Sequence, residues 1–449
     1  MADLSKIISL FESKFYLRLL LALAAGILMA AVVLLTGQNL GPTCIIEMST
    51  IAGFMCIAFI IPVIAEKGVP LGYMATAACA CAALVYLRIS LFYYQSGDYG
   101  SFLREWLEQM RGLSLTEAMQ ADIGDYNMPY LYILFAISRT KGNELYLIKF
   151  VSCIFDALAA LFVMKIVKHF RGGVMARVVA YLLTLALPTV WLNGAMWGQC
   201  DVMFAAFCLG MAWAVLKGKS NLATVFWALA FALKLQAIFA LPLLIIALFT
   251  KRIKAKSLVW IVPVFFATLL PAMLCGRGFI DCVKIYFEQA DQYPSMHLNI
   301  PSIWVLLGHV EFNNFNNAAI FLAGAAMVTL LLMCYHWRKG VDDKSLITLF
   351  FIGALIIPFL LPRMHDRYYF LADIAALAVF LIDFKKWYVP LVTVFASFNA
   401  YRYFIMGGEL LIPHKYFSIA LLVMLTLVLK DELCKIREKA SKPALNFEI

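Results

Sequence analysis

The chain has 449 residues, 64% of them hydrophobic and only 14% charged, with a mean hydropathy of +0.86. A soluble protein keeps roughly a quarter of its residues charged, so this composition excludes a water-soluble globular fold, and with it disorder, coiled coil, collagen and a disulfide-stapled module. The net charge of +10 would suggest nucleic acid in a soluble protein; here it reads as the cation excess of a cytoplasmic membrane face, and no nucleic-acid partner is expected.

A membrane-spanning helix needs about 20 apolar residues. Apolar runs fall near 17–36, 49–65, 71–94, 145–165, 174–192, 201–216, 221–234, 235–249, 257–275, 318–337, 345–361, 367–382, 388–405 and 414–430. They predict an all-α polytopic transmembrane bundle of about 12 to 14 spans, forming one integral-membrane domain over 1–449. The pair 221–249 reads as a tight helical hairpin or one long bent helix. The runs are apolar all round, unlike the alternating strands of an outer-membrane barrel. A polar amphipathic stretch, Ser5 to Arg18, precedes the first run, and no small-residue cleavage pattern follows it, so a cleavable signal peptide is not expected. The eleven Cys lie mostly inside apolar runs and lack metal-ligand spacing, which makes them small buried residues. A pairing of Cys275 with Cys282 across an external loop is the weaker alternative to two thiols.

Threaded from a cytoplasmic N-terminus, alternate loops collect Lys and Arg: Lys165, Lys168, Arg171 and Arg177; Lys251, Arg252, Lys254 and Lys256; Arg338, Lys339 and Lys344; Lys385 and Lys386; and the tail 431–449. The other face carries two long segments, 95–144 and 276–317. In the first, Phe102, Leu103, Trp106, Leu107 and Met110 form one face of an interfacial helix. Asp125-Tyr126-Asn127-Met128-Pro129-Tyr130 then suits a turn at headgroup level. The second holds a helix from Asp281 to Tyr293 and a loop around Asn299-Ile300-Pro301-Ser302.

Charges near the bilayer are costly and need a reason. Four clusters fall on the external face: Ser96-Gly97-Asp98-Tyr99, Trp197-Gly198-Gln199-Cys200-Asp201, Lys234-Leu235-Gln236, and Pro362-Arg363-Met364-His365-Asp366-Arg367-Tyr368. Singly, each has an ordinary reading. Asp98 suits a helix cap, Trp197 and Tyr368 an interface belt, Lys234 a snorkelling side chain, and Arg363 and Arg367 lipid headgroups. Jointly they predict a cationic site of Lys234, Arg363, Arg367 and His365 for an anionic group, with phosphate the best fit to Arg forks and a Lys point charge. Asp98 and Asp201 add carboxylates able to take a proton from a hydroxyl or orient it. A phosphate-bearing lipid with a sugar attached presents both needs. No Walker loop, Asp-x-Asp, His-Glu-x-x-His or Gly-x-Ser-x-Gly occurs, which argues against ATP hydrolysis, nucleotide-sugar transfer and zinc or serine hydrolysis.

Trp197 to Asp201, Phe231 to Phe239 running into Leu241 to Leu244, Tyr286 to Tyr293, Leu298 to Ser302 and Leu361 to Tyr369 together order the chain from about 95 to 375. In this order the sequence resembles the GT-C superfamily of membrane glycosyltransferases, and most of all the bacterial branch related to GPI mannosyltransferase II (PIG-V-like). The resemblance implies an inverting transfer of one sugar, mannose or another hexose, from a polyprenyl-phosphate donor to a lipid-linked or cell-surface glycan acceptor. It places the site on the extracytoplasmic face of a bacterial plasma membrane. It also implies that the first external segment carries the base: Asp98, with Asp125 as rival. Lys234, Arg363, His365 and Arg367 then hold the donor phosphate, and Tyr99, Tyr126, Trp197, Gln199, Asp201, Gln236 and Tyr368 bind sugar or acceptor. Asp98 and Asp201 are able to hold a divalent metal, but the chemistry demands none and no cofactor is expected. An O-antigen-type ligase or polymerase, and after it a transporter of lipid-linked glycans, are the alternatives.

Overall fold

Each of the fourteen apolar runs contains a helix in the computed structural model, which describes residues 14–37, 41–291, 293–308, 311–407 and 409–442. Most of the polar stretch Ser5 to Arg18 and residues 443–449 of the tail lie outside the described residues. The helices are α1 (Phe15–Thr36), α2 (Pro42–Ala65), α3 (Leu71–Ile89), α4 (Arg104–Arg111), α5 (Leu115–Gln120), α6 (Met128–Ser138), α7 (Glu144–Phe170), α8 (Val174–Ala186), α9 (Asp201–Leu216), α10 (Ser220–Leu233), α11 (Leu241–Phe249), α12 (Ile261–Leu274), α13 (Phe279–Asp291), α14 (Phe312–His336), α15 (Asp343–Leu360), α16 (Phe370–Ile382), α17 (Tyr388–Met406) and α18 (His414–Ser441). The fold is all-α and polytopic.

Among the described residues, seven helices are long and apolar enough to cross a membrane: α1, α2, α3, α7, α12 with its leading turn from Ala255, α14 and α15. The count becomes eight if α8 and Pro188–Trp197, bent by 49°, make one span. The bend falls at Leu187, whose extended backbone (ψ 128°) is what a following proline imposes. Four of the other runs form shorter apolar helices: α9, α10, Leu235–Phe249 and α16. Against the 12 to 14 spans expected from the sequence, seven or eight helices among the described residues reach full span length, and several of the other runs are helical but shorter. A further short helix, α6, matches none of the fourteen runs: it lies inside the stretch 95–144, and Met128 to Tyr130, expected in a turn, form its start. Its 11 residues reach only about 16 Å at the helical rise, half a bilayer core.

The chain forms two compact units. One comprises the described residues up to Gly124 together with Tyr130–Ala206; the other comprises Asp125–Pro129 and the chain from Phe207 onward. In the first unit α1 and α2 touch backbone to backbone. A Cβ on Gly26 would lie 2.9 Å from the Gly53 carbonyl oxygen and 2.5 Å from Ile57, so only glycine fits. Glu66, following α2, accepts from Lys168 at 2.6 Å and from Arg177, tying together the ends of α2, α7 and α8.

In the second unit the stretch 221–249 is broken at Lys234, whose backbone is extended (φ −156°, ψ 135°) between α10 and a 3-10 segment, Leu235–Ala240. Side chains occupy the carbonyls around the break. Tyr286 donates to the Ala232 oxygen at 2.9 Å and the Trp227 indole to the Ala237 oxygen at 3.2 Å. Irregular backbone survives in an apolar setting only with such partners. One end of this unit is closed by buried Lys386, 3.2 Å from Glu432, and by Lys439 on Asp342. From there α15 runs to the loop at Leu361–Tyr368.

Candidate active site

In the first unit, Asp98 sits between the end of α3 and a π-helical turn, Tyr99–Leu103. A second π-turn, Leu192–Trp197, ends at Gly198, whose φ of 80° lets the chain reverse so that the Gln199 N–H donates to the Asn193 oxygen at 2.9 Å. That reversal aims two side chains at one carboxylate. The Trp197 indole N–H donates to Asp98 Oδ2 at 2.9 Å, and the Gln199 amide donates to the same oxygen. Ser96 joins the two turns, donating through Oγ to the Trp197 carbonyl at 2.7 Å while accepting from the Tyr99 N–H at 3.2 Å. Trp197, Gln199 and Asp201 are buried and Asp98 is half-buried. Asp201 Oδ2 accepts from the Asn193 amide at 2.9 Å. Burial pushes the Tyr99 phenol up, so it stays protonated at neutral pH.

In the second unit, loops zip the cationic residues into place. The Leu298 N–H donates to the Met364 oxygen at 2.9 Å and the Arg363 N–H to the Ser295 oxygen at 3.0 Å, giving a short parallel pairing of Leu298 with His365. Tyr369 fixes the far end of the loop by donating to the Pro301 oxygen at 2.8 Å. Arg363 (φ 63°) and Asn299 (φ 55°) both adopt left-handed backbone, which costs non-glycine residues about 1–2 kcal/mol and concentrates at functional sites. The Arg363 guanidinium lies 4.8 Å from the Phe312 ring centroid, and the His365 ring packs on Tyr293 and Tyr368 at 5.0 and 5.2 Å. Lys234 is buried, its ammonium 5.8 Å from the Tyr126 ring centroid. Asp125 is half-buried, and its carbonyl accepts from Gln289.

A cavity of about 310 Å³ is lined by Leu235, Gln236, Phe239, Pro362, Arg363 and Tyr368 among others. Its wall is mostly apolar with polar groups at few points, and Gln236 Oε1 is buried with no hydrogen-bond partner among the described residues. Behind the loop, Asn299 donates to the Ala400 oxygen at 3.2 Å and contacts His414 Nε2 at 2.7 Å. Burial lowers the pKa of His297, and burial together with His297 lowers that of His414 to about 4.

The structure thus joins Asp98 with Trp197 and Gln199, and separately joins Lys234 with Tyr126 and Gln236 with Arg363 and Tyr368. Arg367 is half-buried at the close of the same loop, where its carbonyl accepts from the Phe370 N–H. No group of three His, Cys, Asp or Glu able to hold a metal ion occurs among the described residues. The sequence reading missed Lys149, Ser152 and Asp156. Two charges seven residues apart in the apolar run 145–165 were the signal that could have found them.

The profile of glycosyltransferase family 87 matches residues 129–362, more than half of the chain. The match takes in Trp197, Gln199, Asp201, Lys234 and Gln236, begins after Asp98 and ends just before Arg363. It supports the GT-C superfamily that the motifs resemble, without naming the PIG-V-like branch. No curated protein gives a significant match. A membrane protein of this build with this match is a membrane glycosyltransferase: the chain belongs to glycosyltransferase family 87.

Proposed function

We propose that the protein moves a single hexose, mannose or a related sugar, from a polyprenyl-phosphate donor to a lipid-linked or cell-surface glycan acceptor on the extracytoplasmic face of a bacterial plasma membrane. The observation that carries this reading is the Asp98 carboxylate, half-buried and oriented by two side-chain donors, Trp197 and Gln199. Both bonds fall on Oδ2 and fix the plane of the carboxylate. An acceptor hydroxyl gives its proton to Asp98 while its oxygen attacks the anomeric carbon from the face opposite the phosphate. The bond from that carbon to the phosphate oxygen breaks with inversion, and polyprenyl phosphate leaves carrying the electron pair.

Negative charge grows on the departing phosphate. Lys234, Arg363 and Arg367, with His365 beside them, are the groups proposed to stabilise it; donors fixed in a poorly hydrated setting act far more strongly than in water. Phosphate is already a good leaving group, so no acid catalyst is needed, in contrast to the carboxylate pairs of glycosidases. The cavity beside Gln236 has apolar walls suited to an isoprenoid chain and one cation, Arg363, among its lining residues, suited to a phosphate. Tyr99, Tyr126, Asp201, Gln236 and Tyr368 are proposed to bind sugar or acceptor hydroxyls. No metal or cofactor is part of the proposal.

The test is transfer by purified protein in lipid nanodiscs supplied with synthetic polyprenyl-phosphate monosaccharides. A product of inverted anomeric configuration supports the reading. Inactivity with every monosaccharide donor, combined with activity on a preassembled lipid-linked oligosaccharide, would establish the ligase alternative instead.

A further inference from the structure

Helix α7 carries a polar stripe in the N-terminal half of an apolar, membrane-length segment. Lys149, Ser152 and Asp156 are each wholly buried and stand three and four residues apart, so they share one helix face. Ionisable groups at such a depth are costly and persist for a reason.

Each member of the stripe holds a segment leading to Asp98. The three N–H bonds of the Lys149 ammonium go to three backbone carbonyls, Leu91 at 3.0 Å, Phe92 at 3.0 Å and Tyr94 at 2.6 Å. These carbonyls lie just beyond the end of α3, where the helix dipole leaves partial negative charge, and the Leu91 oxygen also accepts from the Tyr94 N–H at 3.2 Å. The lysine therefore pins the chain four residues before Asp98. Ser152 Oγ donates to the Gln199 carbonyl at 2.8 Å, fixing the residue whose amide reaches Asp98. Asp156 Oδ2 accepts from Arg88 Nε at 3.0 Å, and the same guanidinium donates to the Leu185 oxygen at 2.8 Å, anchoring the last turn of α3. The π-turn bearing Trp197 lies against this stripe: a Cβ on Gly194 would stand 3.4 Å from Ser152 Cβ and 3.8 Å from Asp156 Oδ1.

We propose that Lys149, Ser152 and Asp156 are positioning residues for the transfer reaction, one helix face that sets both the segment bearing Asp98 and the segment bearing its two hydrogen-bond donors. The inference rests on the reading of Asp98 as the base. None of the three need touch substrate; their effect is on where Asp98 stands when the acceptor arrives.

The experiment compares Lys149→Met, Ser152→Ala, Gln199→Met and Asp98→Asn in nanodiscs, with polyprenyl-phosphate hexose as donor, reading kcat, donor KM and melting temperature on the folded fraction. Ser152→Ala is the smaller change and carries the test if Lys149→Met does not fold. The expected result is a kcat reduced by about 10–100-fold, the scale of a misplacement near 1 Å, with donor KM essentially unchanged. Ser152→Ala combined with Gln199→Met should lose less than the product of the single losses, because both act on one placement. Unchanged kcat in folded Ser152→Ala, a loss confined to donor KM or melting temperature, or a fully multiplicative double variant would overturn the proposal. Asp98→Asn separates the two layers. If it stays active, the base assignment fails; if it is inactive while the stripe variants turn over normally, this inference alone fails.

Discussion

The Trp197 indole donates to Asp98 Oδ2 at 2.9 Å, across 99 residues of sequence. A buried tryptophan N–H needs an acceptor, and here the acceptor is the carboxylate proposed to take the acceptor proton. Asp98→Asn retains the shape of the side chain but not its basicity. Transfer should fall by about 10²–10⁴-fold, the usual worth of a general base, whereas Asp125→Asn should leave the rate within a few-fold. Steady-state transfer assays on both variants check this, and the reverse ranking would move the base to Asp125.

Lys234→Met keeps the length of a buried side chain and removes its charge. With the leaving phosphate no longer opposed, kcat should drop by about 10²-fold and donor KM should rise. Arg367→Lys keeps charge but loses the planar fork, so its effect should be smaller than that of Arg367→Gln. Donor titrations on the three variants measure both quantities; unaltered donor KM and kcat in Lys234→Met would remove that residue from the phosphate site.

Stability should depend on pH through His297 and His414. Both are depressed in the fold, His414 to about 4. The unfolded chain, with histidine near 6.5, therefore binds more protons over the interval between. Their contribution is present above about pH 6.5 and is lost as pH falls toward 4. Melting temperature in detergent should decline across that interval and decline less in His414→Gln. A flat profile in the wild type would contradict the assignment.

The Lys386–Glu432 pair is 3.2 Å apart and buried on both sides. Lys386→Met leaves a buried carboxylate without its main cation and should destabilise by about 3–5 kcal/mol. Replacing both, as Lys386→Met with Glu432→Leu, should recover most of that loss. Thermal or denaturant unfolding of the single and double variants decides; equal losses in the two would mean the pair is not the interaction that matters.

The helices were legible because their apolar runs are long, and each run contains a helix. Ends and breaks were less so. Lys234 was visible as a charge in an apolar stretch, yet its extended backbone depends on Tyr286 and Trp227 satisfying carbonyls from elsewhere. The two π-turns, Tyr99–Leu103 and Leu192–Trp197, have no local sequence signature. Trp197 and Gln199 stood out as polar groups in a short turn, but their convergence on Asp98 is a long-range pairing that spacing does not encode. The same holds for Leu298 and His365, which lie in separate loops and share one backbone pairing. Lys149 and Asp156 are visible in the sequence as charges in a span, but nothing local tells that they reach the segments around Asp98.

The most direct test of the central claim is single-sugar transfer by wild-type and Asp98→Asn protein side by side, in nanodiscs, with a synthetic polyprenyl-phosphate hexose and a lipid-linked acceptor. The account predicts an anomerically inverted product from the wild type and a loss of about 10²–10⁴-fold in the variant, with donor binding retained. Equal turnover by the two proteins, or no transfer from any polyprenyl-phosphate monosaccharide, would contradict it.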